Sequence, residues 1–266
     1  MSEDLVQSEG GAVATWEDRL ARMAAAVVET ESAGAGGKFI STKSGMLSFD
    51  GQPFMDNKLD CIVVASCLEN HFYDAKFEPD NPASPVCYAF AQIDETMTDA
   101  QQKAVLGEMR PHEKSSAPQA ATCAECPKNE FGTADNGKGK ACKNIRRLGL
   151  VSADNLTEEG INKAEPAYLK VPVTSVKGWS VHARTIAALY KMPPLGVITT
   201  VSIKPDMKTQ FKVCFDVKAP VGRELMPALL NKYDVVREMI EFPYTEYKEA
   251  SEEEAPAKKP GKAKKF

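Results

Sequence analysis

Apolar positions fall into two rhythms along the chain. Leu20, Met23, Ala24, Val27 and Val28 recur at helical spacing after Thr15-Trp16-Glu17-Asp18, a helix start with acids in its first turn. A Gly/Ala/Ser run at 32–37 then breaks the pattern. From residue 38 the period shortens. Segments 38–41 and 46–49 flank Lys43-Ser44-Gly45 and predict a hairpin, and 59–67 (LDCIVVASC) predicts a buried strand. A Pro/Asp/Asn-rich loop at 78–85 precedes another strand at 86–92. Strands are again expected at 146–151 and 169–173.

Residues 176–191 return to helical spacing, with Val176, Trp179, Ala183, Ile186 and Tyr190 on one face, until Met192-Pro193-Pro194 stops them. Segments 196–203 and 211–217 predict a second hairpin; in the latter, Phe211, Val213, Phe215 and Val217 alternate with Lys212, Cys214 and Asp216. Pro227 opens a last helix whose apolar face holds Leu229, Tyr233, Val236 and Ile240. This pattern predicts a mainly β, α+β fold. Short strands of this number avoid open edges by closing into a small barrel. An OB-like barrel is the expected form, with an inserted loop at 93–145, an N-terminal helix and a flanking C-terminal helix. The expected organisation is an acidic helix and linker at 1–37, a core at 38–245 and a disordered charged tail at 246–266.

Composition narrows the function classes. The 266 residues carry a net charge of −4, and no apolar run reaches the ~18 residues of a membrane span. The acidic N-terminus, MSEDLVQSEGG, is not a secretory signal. A cytoplasmic location is therefore expected, with no membrane partner. The charge is unevenly placed: net −5 over 1–37, zero over 38–245 and +1 over 246–266. Inside the neutral centre, Lys138, Lys140, Lys143, Arg146 and Arg147 form a basic stripe with no acid among them. Such a stripe matters more to a polyanion than the average charge does.

Seven cysteines in a reduced compartment point to metal before disulfide. Cys123-Ala-Glu-Cys126 is a C-x2-C knuckle and Cys142 follows at a zinc-ribbon spacing. The second knuckle lacks its partner cysteine, so the fourth ligand of a structural Zn2+ is expected from Cys87 or, alternatively, His112. Cys61, Cys67 and Cys214 sit in apolar strand patterns and are expected in the core. Gly132-Thr-Ala-Asp-Asn-Gly137-Lys138-Gly139 imitates a phosphate-binding loop, but Gly139 replaces the magnesium-binding hydroxyl and no apolar strand precedes it. The three histidines, His71, His112 and His182, come with no hydrolase or metalloprotease motif. An enzyme is not expected.

The order of motifs carries a resemblance. Trp-Glu-x-x-Leu at 16–20 is followed by Gly-Met-Leu-Ser-Phe at 45–49, Asn57-Lys-Leu-Asp-Cys-Ile-Val-Val, Asn70-His-Phe-Tyr73 and Pro82-Ala-Ser-Pro-Val-Cys87. Then come Cys123-x2-Cys126-Pro-Lys-Asn-Glu-Phe-Gly132, Gly137-Lys-Gly-Lys-Ala-Cys142-Lys-Asn-x-Arg-Arg147, Pro172-Val-Thr-Ser-Val-Lys-x-Trp179 and Lys208-Thr-Gln-Phe-Lys-Val213. Over residues 15–217 this resembles a bacteriophage-encoded zinc-motif family that is similar to phage single-stranded-DNA-binding proteins of the OB-fold. The resemblance implies a non-catalytic role in phage DNA replication or recombination, in the bacterial cytoplasm. Its physical requirements are a basic groove and aromatic faces for stacking. The stripe from Lys138 to Arg147 is the expected cationic side, and Phe72, Tyr73, Phe77 and Phe131 the expected stacking side. Trp179 is expected in the core.

The ending departs from the acidic tail of such proteins, because 249–254 is acidic but 257–265 is basic before Phe266. Replication or recombination proteins are the expected partners of the tails. The alternative is a zinc-containing protein-interaction module that recruits a replication or transcription partner.

Overall fold

The computed structural model describes residues 39–75, 84–93 and 97–244, together with Leu20. The expected N-terminal helix (Leu20 aside), Phe77 and the charged tail lie outside the described residues. The chain divides into two units, Met1–Gly37 and Lys38–Phe266, and every named element belongs to the second.

One seven-stranded sheet dominates. Its strands are β1 (Phe39–Ile40), β4 (Lys58–Phe72), β5 (Cys87–Ala91), β6 (Lys143–Ser152), β7 (Ala167–Val171), β8 (Val197–Asp206) and β9 (Gln210–Pro220). The two-residue strands β2 (Ser48–Phe49) and β3 (Gln52–Pro53) form a separate small hairpin. The large sheet runs β1-β7-β6-β4-β8-β9, with β5 attached to β4. All its pairings are antiparallel except β1 with β7. The sheet is strongly curled into a half-barrel. Four α-helices accompany it among the described residues: α1 (Asp99–Gly107), α2 (Glu158–Lys163), α3 (Val173–Tyr190) and α4 (Met226–Met239). None of them is long and apolar enough to cross a membrane.

The central strand, β4, explains the layering. Its apolar run from Cys61 to Ala65 is buried on both faces of the sheet. Cys61 and Val63 join a core with Leu148, Leu169, Trp179 and Val201, roofed by α3. Ile62, Val64, Ala65 and Cys67 join a second core with Tyr168, Leu229, Val236 and Ile240, roofed by α4. A β-bulge between Val63 and Ala65 reverses the parity, so odd-numbered residues after it point to the α4 side. Glu69 and His71 are buried there as a result.

The α3 helix starts after Pro172, slightly earlier than its apolar spacing suggests, and stops at Lys191, which takes a left-handed conformation (φ 55°). Trp179 is buried against Phe215. The final helix and the β8–β9 hairpin fall where the sequence pattern places them. Helix α1 was not expected. Its start is fixed by a reciprocal capping box, in which Thr98 accepts from the Gln101 N–H and the Gln101 side chain accepts from the Thr98 N–H.

Candidate metal centre and nucleic-acid interface

The C-x2-C knuckle is shaped by the main chain around it. The Cys123 N–H donates to the Met109 carbonyl (2.7 Å). Pro127–Asn129 make a single tight turn after Cys126, in which the Asn129 N–H donates to the Cys126 carbonyl and the Asn129 side-chain amide to the Cys123 carbonyl (2.7 Å). The Lys128 carbonyl accepts from the Cys142 N–H (2.8 Å), which brings the third cysteine against the knuckle. Cys87 opens β5 opposite Phe72 on β4.

Cys87, Cys123, Cys126 and Cys142 all line one cavity of about 10 Å³, walled also by Asn70, Phe72 and Asn129. That is room for a single atom-sized occupant. The thiols share this wall without being drawn to a common point: among the described residues no three His, Cys, Asp or Glu side chains already stand in ligating positions. Burial pushes the Cys142 thiol up to about 12, and charge on Cys123, Cys126 and Cys87 would push it the same way. Burial likewise raises Cys123 and Cys87; hydrogen bonds from the Asn70 side chain and the Gln119 main chain, respectively, work against it. Four mutually repelling thiolates are tolerable only around a cation, and an all-sulfur set of this kind suits a structural zinc.

His112 is placed elsewhere. Its ring stacks on Tyr88 (5.1 Å between centroids), and its Nδ1 accepts from the Lys114 N–H. It is not part of the cavity wall.

The segment from Phe131 to Lys140 is a largely exposed loop closed by the Gly132 N–H donating to the Gly139 carbonyl (2.7 Å). Gly132 and Gly139 have φ of 91° and 84°, which side chains resist, so the reversal depends on glycine at both. No helix follows Gly139, and the imitation of a phosphate-binding loop therefore lacks the helix N-terminus that would face a phosphate.

The predicted interface residues separate into two groups. Phe131 is 83% exposed, and the Lys140 ammonium sits over its ring (5.4 Å) while donating to Asn129 Oδ1 (3.0 Å). Lys138 and Lys143 are exposed, Lys143 donating to the Lys140 carbonyl (3.0 Å), and Arg146 is half-buried on β6. Phe72 is half-buried under the Lys128 ammonium (5.1 Å), and Tyr73 is partly exposed next to His71. Lys128 is a further cation that no charge cluster in the sequence announces: it stands alone two residues after Cys126, outside the basic stripe.

Arg147 must be removed from the interface. It is 1% exposed, its Nε donates to Glu69 Oε2 (2.6 Å), and its Nη1 donates to the carbonyls of Ile240 and Phe242 (2.9 Å each). The physical reason is the two-residue period of β6, which sends Arg146 and Arg147 to opposite faces. No family model matches this chain, and neither a curated protein nor a solved structure matches it.

Proposed function

We propose that this protein binds single-stranded DNA without catalysis, in phage replication or recombination, on an OB-like body whose inserted loop is stapled by zinc. The observation that carries the reading is the pairing of cations with rings in and around the cysteine loop: Lys140 over the exposed Phe131 and Lys128 over the half-buried Phe72. Rings of this kind stack unpaired bases with little regard to sequence, and flanking ammonium groups neutralise the phosphates. The resemblance noted in the sequence supports the same role.

Zinc bound by Cys87, Cys123, Cys126 and Cys142 would supply a fixed anchor, since its binding free energy is also folding free energy. The chain's own residues do the recognition. Asn129 positions Lys140, and the Gly132–Gly139 closure holds Phe131 and Lys138 on one small loop.

The test is a fluorescence anisotropy titration of labelled oligothymidine across salt concentrations. With Lys128, Lys138, Lys140 and Lys143 on phosphates, log K against log salt is expected to fall with a slope of about −3. Duplex DNA of equal length is expected to bind more weakly. Phe131→Ala is expected to cost about 1–3 kcal/mol of binding. Reversing Lys138, Lys140 and Lys143 to Glu is expected to remove most of the affinity while metal analysis still finds about one zinc per chain. Absence of oligothymidine binding at low salt overturns the proposal.

A further inference from the structure

The edge of β4 that faces β5 and β8 is interrupted. It pairs with β8 from Lys58 to Cys61 and with β5 from Leu68 to Phe72. Between them, residues 62–67 pair only with β6 on the opposite edge, and no strand among the described residues occupies the near one. Two bulges accompany the gap. One lies between Val63 and Ala65; the other, opposite Ile198/Thr199, lies where β8 swings away from β4. Bulges add local twist, which accounts for the separation.

A cavity of about 550 Å³ opens in the gap. Its floor is the stretch 63–66 of β4, and its walls include Trp179 from α3, Leu195, and Leu230 from α4. Leu230 is 52% exposed, so the cavity reaches the surface. The volume falls within the range of pockets that hold ligands.

Two features select the occupant. Consecutive strand residues point their side chains to opposite faces, so four in a row can line one cavity only along the main-chain edge. That edge offers N–H and C=O groups at every second residue. Among the described residues that line it none is charged, which disfavours phosphates and nucleic acid. We propose that this slot receives an extended, uncharged and largely apolar peptide segment from a protein partner, added as a strand to β4 between β8 and β5. Main-chain bonds to 62–67 supply the register and the apolar walls hold alternate side chains. This site is separate from the loop assigned above to DNA, and its success or failure does not depend on that assignment.

The test uses the full-length protein labelled with ¹⁵N and a library of end-blocked hexapeptides drawn from Val, Ile, Leu, Phe, Thr and Ser. The expected result is library members that shift the amide resonances of residues 62–67 at millimolar concentration. Methylating alternate backbone nitrogens of the best peptide is expected to weaken it at least tenfold. Leu230→Arg, at an exposed position that tolerates charge, is expected to weaken it similarly. Three results overturn the proposal: no library member shifts those amides, the N-methylated peptide binds equally well, or oligothymidine shifts the same amides.

Discussion

Glu69 and Arg147 show what a single residue's surroundings decide. The carboxylate is fully buried and meets Arg147, His71 Nδ1 (3.1 Å) and the Tyr244 hydroxyl. The guanidinium is enclosed by the rings of Phe90 (4.4 Å) and Phe242 (4.5 Å). Removing one partner strands the other charge in the interior. Arg147→Ala is therefore expected to lower the unfolding free energy by about 3–5 kcal/mol in urea melts, and the double change Glu69→Leu with Arg147→Met to cost less than either single one. Burial alone would raise the Glu69 carboxyl. The hydrogen bond with His71 and the charges of Arg147, Lys170 and His71 outweigh it and hold the group at about 2, against an ordinary 4.5. A carboxyl depressed by folding contributes stability above its unfolded value and loses it as pH falls through the folded one. Acid unfolding followed by circular dichroism is expected to steepen between about pH 4.5 and 2, and Glu69→Gln is expected to flatten that part of the profile. A basic sequence stripe gave no hint that its last member belongs inside.

At the scale of elements, close approach and capping set the tolerances. A Cβ at Gly149 on β6 would collide with Val236 of α4, which is buried. Gly149→Ala is expected to cost about 1–3 kcal/mol, because the helix must lift or the valine leave its rotamer. Thr98→Ala should remove the cap of α1 at about 1 kcal/mol, read in the same urea melts. The longer strand runs, the α3 and α4 helices and the core positions of Cys61, Cys67 and Trp179 were legible, because period and apolarity report burial directly. The hairpin expected from 38–41 and 46–49 reduces to one Ser41–Ser48 bridge, since β1 pairs with β7 and β2 with β3, and Cys214 is half-buried rather than in the core. Helix α1 was not: it buries none of its residues, so no apolar stripe announces it. The parity change after the β4 bulge was equally hidden. Alternation looks the same on either side of an inserted residue, and only the partner strand reveals which face each side chain joins.

At the scale of the whole molecule, the loop between α1 and β6 differs from the rest. It buries only Met109 and Cys123 in a small apolar cluster, against Ala89 and Ala91 of β5, Leu68 of β4 and Val105 of α1. The sheet has two large cores on its faces. If zinc holds the loop, a chelator should expose it first. Limited trypsin digestion is then expected to cut at Lys128, Lys138 and Lys140 while the far-ultraviolet dichroism of the sheet persists. Cys126→Ser should behave the same way without chelator. Unchanged cleavage in both would remove the metal from the account of this loop.

The sequence by itself determined the local elements, the helical and extended periods, and the grouping of three cysteines in one loop, because these depend on neighbours a few residues apart. Tertiary structure decided the rest. It placed Cys87, and not His112, on the wall of the cavity that Cys123, Cys126 and Cys142 also line, since β5 pairs Cys87 with Phe72. It divided the basic stripe between surface and interior by the pleat of β6. It also opened the edge of β4, where two bulges twist apart strands that alternation alone would leave paired.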